Sequence, residues 1–194
     1  MLFEVVQIIT EDVNGYLNSN SVSLDNIASV VASEQGSNGD ATTDIILTLL
    51  NLQEETTLKN TPNYSVTGTR VAYKNPIINL NLYILFSANN SKYDEALKNL
   101  SKIIEFFQGK KVFTQANTIY NRDNAAMSDI SNFRFVVDLF TPSFEELNFV
   151  WGTLGGKQIP SVMYKVSLVE IERAALLSKG NLITEVNGKL NHKN

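Results

Sequence analysis

Residues 78–107 constrain the fold of this 194-residue chain more than any other stretch. Ile78, Leu80, Leu82, Ile84 and Phe86 alternate with Asn79, Asn81, Tyr83 and Leu85, the period-2 pattern of a strand. The run is half polar at its start and apolar at every position at its end, so its end is expected to be buried on both faces. Pro76, just ahead, suits a strand entrance. Tyr93, Ala96, Leu97, Leu100, Ile103, Ile104 and Phe107 then recur at i, i+3, i+4 and i+7 for four turns. Ser91 and Asp94 read as a variant capping box for that helix. Gly109 reads as its C′ residue, with Lys110 and Lys111 at the negative end of the helix dipole. The simplest use of the apolar stripe is burial against the sheet that contains the strand.

The flanking segments extend the same plan. Leu2, Val5, Val6, Ile9, Val13, Tyr16 and Leu17 share one helical face, predicting an amphipathic N-terminal helix that ends near Asn18–Asn20. Its polar face lacks Lys and Arg, which disfavours a membrane-surface role. Val22–Val31 reads as a short strand and turn, 33–43 as a polar loop, and Asp44–Leu52 as a buried strand that 53–60 continue into polar sequence. Thr61–Asn75 reads as a long loop or flap. Val112–Thr114 suggests a short strand, Gln115–Asn132 a loop, and the alternation of Phe133, Phe135, Val137 and Leu139 another strand. Ser143 and Glu146 form a full capping box ahead of a helix with Phe144, Leu147, Trp151 and Leu154 on its apolar face, stopped by Gly155-Gly156. Val162, Tyr164, Val166 and Leu168 define a last strand running to about Ile171. The expected fold is mixed α/β, a single domain over residues 1–171 with one main mixed sheet packed by helices. Residues 172–194 are expected to be a C-terminal tail or arm.

Composition removes whole classes of chemistry. With no cysteine, disulfides, thiolate metal sites and cysteine nucleophiles are excluded. The one histidine, His192, lies within the last few residues, which argues against histidine general bases, Ser-His-Asp triads and imidazole metal sites. A net charge of −4 without basic clusters argues against nucleic acid. No apolar run approaches the length of a membrane span, and Leu2–Ile9 lacks the features of a secretory signal. Synthesis in the cytoplasm is therefore expected, with any release by a route such as lysis. Only 19% of residues are charged while asparagine is plentiful, so the surface repels copies of itself weakly. That composition leans towards self-association.

The local motifs that suggest chemistry fail on inspection. Gly155-Gly156-Lys157 lacks the full phosphate-loop pattern and leaves a helix, whose C-terminal end repels phosphate. Glu145 and Glu146 belong to a helix N-terminus. Glu54 and Glu55 are adjacent, so they diverge instead of converging as a catalytic pair. Asp123 and Asp129 do not fit a calcium loop. No catalytic, metal or cofactor site is expected.

Three blocks, taken together, are distinctive: NLNLYILFSAN at Asn79–Asn89, YDEALKNLSKIIEFFQGKKVFT at Tyr93–Thr114 and FEELNFVWGTLGGKQIPSVMYKV at Phe144–Val166. With the N-terminal helix and LTLLNLQEETTLKN at Leu47–Asn60, the chain resembles the tail-terminator, or cap, proteins of extracellular contractile injection systems. These are phage-tail-like particles of the antifeeding-prophage and virulence-cassette type. The resemblance covers most of residues 1–171 and is weaker in 115–132 and after 172. It implies a structural part and not an enzyme: a six-fold ring on the last layer of the inner tube, ending tube growth and joining the terminal sheath layer. The implied partners are further copies of the chain, the inner-tube protein and the sheath protein, with no nucleic acid and no membrane.

A closed ring needs a heterologous interface, and long strand edges can pair with another chain. Two polar segments set between strong elements are the candidate contact sites. One comprises Glu54, Glu55, Thr56, Thr57, Leu58, Lys59 and Asn60; the other comprises Lys157, Gln158, Ile159 and Pro160, held rigid by its glycines and proline. The competing readings are a neck, baseplate or sheath-initiation component, and a carboxylate-dependent hydrolase built around Glu54 and Glu55.

Overall fold

The computed structural model describes residues 2–18, 21–34, 44–58, 62–67, 70–121, 127, 133–171 and 176–181. In chain order its elements are α1 (Leu2–Leu17), β1 (Val22–Leu24), α2 (Ile27–Glu34), β2 (Ile45–Glu54), a 3-10 turn (Thr56–Leu58), β3 (Tyr64–Thr67) and β4 (Arg70–Lys74). There follow β5 (Ile78–Ala88), α3 (Tyr93–Gly109), β6 (Val112–Thr114), β7 (Arg134–Phe140), α4 (Phe144–Thr153), β8 (Ser161–Ile171) and β9 (Leu176–Asn181). Six strands form the main sheet in the order β1-β2-β5-β8-β7-β6. Only the β1–β2 pair is parallel. The fold is thus mixed α/β with one main sheet, as the periodicities imply.

The central strand β5 shows why. Leu82, Ile84 and Phe86 point to one face and join the cluster made with Val5, Ile9 and Val13 of α1 and Ile103, Phe106 and Phe107 of α3. Leu85 points to the other face and joins Ile27 and Val31 of α2 and Trp151 of α4. Two helices therefore cover each face, and β5 is apolar at both parities because both sides are dry. The larger core is aromatic: Phe107 lies 4.3 Å from Tyr164, and Phe113 stacks on Phe135 at 5.0 Å, between ring centroids. Such pairs add to the burial of their area.

The helix termini depart in part from expectation. The Ser143 hydroxyl accepts from the Glu146 N–H and the Glu146 carboxylate accepts from the Ser143 N–H, a complete capping box. Ser91 does not cap α3: the N-cap is Lys92 and makes no side-chain cap bond. Asp94 instead pairs with Lys98 one turn on at 3.3 Å. Gly109 is the last helical residue and not a left-handed C′; Lys110 follows in extended geometry at φ −136° because the chain passes straight into β6. Gly155 and Gly156 do adopt positive φ, 106° and 78°, and turn the chain out of α4 towards β8.

Three segments differ more. Residues 27–34 form α2, not a turn: Asn26 caps it by accepting from Ala28 N–H, and Ile27 and Val31 bury one side. The β-branched residues there masked a helix whose stability comes from packing. Thr61–Asn75 is not a loop across its described residues; β3 and β4 pair as an antiparallel hairpin. Its alternation is short and mostly exposed, so it carries little apolar signal. Residues 176–181, inside the segment expected to be a tail or arm, pair with β4 as β9 to complete a second sheet of order β3-β4-β9. In chain order its strands stand next to β2, β5 and β8, which are neighbours in the main sheet. The polar loop 33–43 lies outside the described residues from 35 onward, as does most of 122–132.

Candidate functional site

The two candidate segments stand at opposite ends of the main sheet. Glu54 ends β2 opposite Leu80, near the start of β5. At the other end, the Pro160 carbonyl accepts from the Ala88 N–H at 2.9 Å, where β5 finishes. Eight residues of extended strand between Leu80 and Ala88 span roughly 27 Å. The fold does not bring the segments together; it gives each its own end.

At the first end, Glu54 is exposed and Glu55 is held in place. The Glu55 N–H donates to the Asn79 carbonyl at 2.8 Å. One carboxylate oxygen accepts from the Thr57 hydroxyl at 2.6 Å and the Thr57 N–H at 3.2 Å. The other accepts from the amide of Asn81, a buried side chain, at 2.9 Å. These donors, the Thr57 hydroxyl first, hold the Glu55 carboxyl down to about 2. A carboxylate so stabilised is a poor proton acceptor near neutrality and serves as a fixed anion bracing the turn. Thr56 and Thr57 are exposed in the 3-10 turn that Leu58 closes. Lys59 and Asn60 lie outside the described residues.

At the second end, Lys157 and Gln158 are exposed, while Ile159 and Pro160 are half-buried. Ile159 packs on the cluster around Trp151, which anchors the turn from below. The Gly156 N–H donates to the Trp151 carbonyl at 2.7 Å, closing the end of α4. The turn therefore carries an exposed polar tip on an apolar footing.

Beside this turn lies a feature that sequence reading missed. Gln158, Ile159 and Pro160 border an open groove of about 780 Å³ between α3, α4 and the ends of β7 and β8. Tyr93, Leu97 and Ile104 stand on its α3 side, with exposures of 69%, 45% and 44%. Leu139 and Phe144 stand opposite at 58% and 92%. The spacing of Tyr93, Leu97, Ile104 and Phe144 predicts apolar helix faces packed on the sheet. The α3 stripe is in fact divided: Ala96, Leu100, Ile103, Phe106 and Phe107 are buried and the rest opens to solvent. The width of the apolar arc was the available signal, since a helix on one sheet face needs only part of it. A concentration of large exposed apolar side chains marks an interaction surface. Among the described residues, no group of three His, Cys, Asp or Glu is placed to hold a metal ion. No helix among them is long and apolar enough to cross a membrane.

The geometry is that of a part with two distinct ends and an apolar flank. The family model described as the Pvc16 N-terminal domain matches residues 4–185. The chain belongs to that family. No curated protein matches it by sequence. Its fold is similar to a sheath/tube terminator of the PVC extracellular contractile injection system in its extended state, solved by cryo-electron microscopy. That likeness has a TM-score of 0.63 at 14% identity and covers 100% of this chain and 64% of that one. It is also similar to the tube-terminating cap of the anti-feeding prophage, with TM-score 0.62, 14% identity and coverage of 98% and 62%. The chain thus spans less than two thirds of each terminator it matches. The Pvc16 match runs through β9, so the family domain takes in the small sheet as well as the main one.

Proposed function

We propose that this member of the Pvc16 N-terminal domain family is the structural cap of a contractile injection particle. It forms a six-fold ring on the last layer of the inner tube, ends tube growth and joins the terminal sheath layer to the tube end. The observation that carries this reading is the match of the whole chain to two terminators of such particles. The mechanism is geometric. One end of each subunit accepts the tube's docking surface, and the other end does not present that surface again. The separation of the two candidate segments along β5 supports this division. Glu54–Asn60 and Lys157–Pro160 are the contacts at the two ends, and the apolar groove beside the second extends it. A cap needs no turnover, and the stabilised anion at Glu55 suits a bracing role better than proton transfer. The protein is made in the bacterial cytoplasm, built into the particle and released with it by lysis.

Deletion of the gene tests this directly, with particles imaged by negative stain. Loss of length control and sheaths detached at the distal end are expected, restored by supplying the protein in trans. Particles of normal length with normally joined sheaths would refute the assignment. Labelled protein found only at the baseplate end would favour a baseplate or sheath-initiation component instead.

A further inference from the structure

The short strands at the two edges of the main sheet, β1 and β6, are capped in the same way. On β1, the backbone bonds to β2 use Ser21 C=O and Asp25 N–H, so the N–H and C=O of Val22 face outward. The Asn14 side chain takes both: its amide nitrogen donates to Val22 C=O at 2.9 Å and its oxygen accepts from Val22 N–H at 2.9 Å. On β6, Lys111 C=O bonds to β7, which turns Val112 and Thr114 outward. There the Asn117 side chain donates to Val112 C=O at 3.0 Å and accepts from Thr114 N–H at 2.8 Å. Each asparagine presents one donor and one acceptor, as a residue of a neighbouring strand would. An edge so occupied is a poor template for another chain.

The small sheet is different. The Lys74 N–H donates to Asn63 C=O at 2.9 Å, so alternate residues from Asn63 face β4 and the backbone groups of Tyr64 and Val66 face outward. At the far side, the register of β9 on β4 sets Lys179 and Asn181 outward. Among the described residues no strand lies beyond β3 or beyond β9. Both strands are antiparallel to β4 and therefore run the same way.

We propose that neighbouring copies of the cap join by strand pairing, the outer edge of β9 on one copy against the outer edge of β3 on the next. This rests on the ring reading above and deepens it. The two edges differ, so the contact is heterologous, repeats head to tail and closes under rotation. Pairing through identical edges would stop at a two-fold dimer. Since β3 and β9 run the same way, the junction is parallel, as a cyclic operator requires. Asn14 and Asn117 keep β1 and β6 out of the same reaction. The exposed row Tyr64, Val66 and Tyr73 on one face of the small sheet then continues from copy to copy as an apolar band.

The chain has no cysteine, which makes a cross-link clean. Ser65 and Lys179 flank Ala72 of β4 on the same face, two strand spacings or roughly 9.6 Å apart, too far for a disulfide within one copy. Under oxidation, S65C/K179C assembled on inner tubes is expected to give a ladder of linked chains, and each single variant no ladder. A second variant, Val66→Pro, removes an N–H that β4 does not use, a substitution edge strands tolerate. It is expected to keep the wild-type circular dichroism and melting temperature while losing the ring by light scattering and negative stain. If the wild type forms a ring but V66P also does and the double variant gives no ladder, the inference is overturned and the cap reading stands. If the wild type forms no ring even on tubes, both fall.

Discussion

Lys110 offers the sharpest test of how the fold holds its edge in place. Its ammonium donates to the Asp12 carboxylate of α1 and to the Asn117 carbonyl at 2.7 Å, and lies 4.9 Å from the Phe113 ring centroid. Asp12 is 7% exposed in its side chain, Lys110 22%. Among the described residues, Asp12 apart from Lys110 receives only a long bond, 3.4 Å, from the Ile119 N–H. Lys110→Met keeps the aliphatic stem over Phe113 but leaves a buried carboxylate without its cation. Breaking a buried pair from one side costs about 3–5 kcal/mol, and the partial exposure of this one puts it near 3 kcal/mol. For a domain of this size that is a drop of roughly 6–12 °C in melting temperature. Asp12→Asn added to Lys110→Met removes the stranded charge while keeping an acceptor for Ile119, so it is expected to recover about 1–2 kcal/mol. Thermal and urea unfolding of the four proteins in the cycle measure both numbers. A single variant melting within about 2 °C of the wild type, or a double variant no more stable than K110M, would refute the argument.

Further outcomes follow from other contacts. Ser143→Ala removes the hydroxyl half of the α4 capping box and is expected to cost about 1 kcal/mol in urea unfolding, with Ser143→Thr close to the wild type. The Tyr164 hydroxyl is buried without a hydrogen-bond partner among the described residues, so Tyr164→Phe should leave stability unchanged or raise it by about 1 kcal/mol; a clear loss would reveal a hidden partner. Gly156→Ala, at φ 78°, should cost about 1–2 kcal/mol through backbone strain alone, since nothing lies within 4 Å of the added methyl. The Glu55 carboxyl is lowered from 4.5 to about 2 in the fold, so its contribution is present above about pH 4.5 and disappears as pH falls towards 2. The wild type is therefore expected to lose more stability across that window than Glu55→Gln does, and identical acid profiles would contradict the bracing role.

Legibility in the sequence tracked burial. The strand Ile78–Ala88 and the helix Tyr93–Gly109 were readable because a dry sheet face and a helix stripe impose strict periods on apolar residues. The capping box at Ser143 was readable because its chemistry is local. The hairpin β3–β4 was not, since its exposed face needs no apolar alternation and its third strand lies a hundred residues away in the chain. α2 was hidden for a related reason: its eight residues are helical through contact with β2, where the Thr48 hydroxyl accepts from Ile27 N–H and donates to Asp25 C=O. The groove was hidden because one helix stripe looks the same whether all of it or half of it is covered.

By itself the sequence determined the α/β class, the secondary elements with strong periods, the absence of cysteine, and a resemblance to tail terminators. Each of these depends on residue type and spacing along the chain. Only the tertiary structure decided that Glu54–Leu58 and Lys157–Pro160 stand at opposite ends, and that residues 176–181 complete a second sheet. It alone decided that Asn14 and Asn117 cap the edge strands β1 and β6 of the first. An asparagine carries the same donor and acceptor wherever it stands. Whether it meets water or the open side of a strand is settled by which distant segments the core brings beside it.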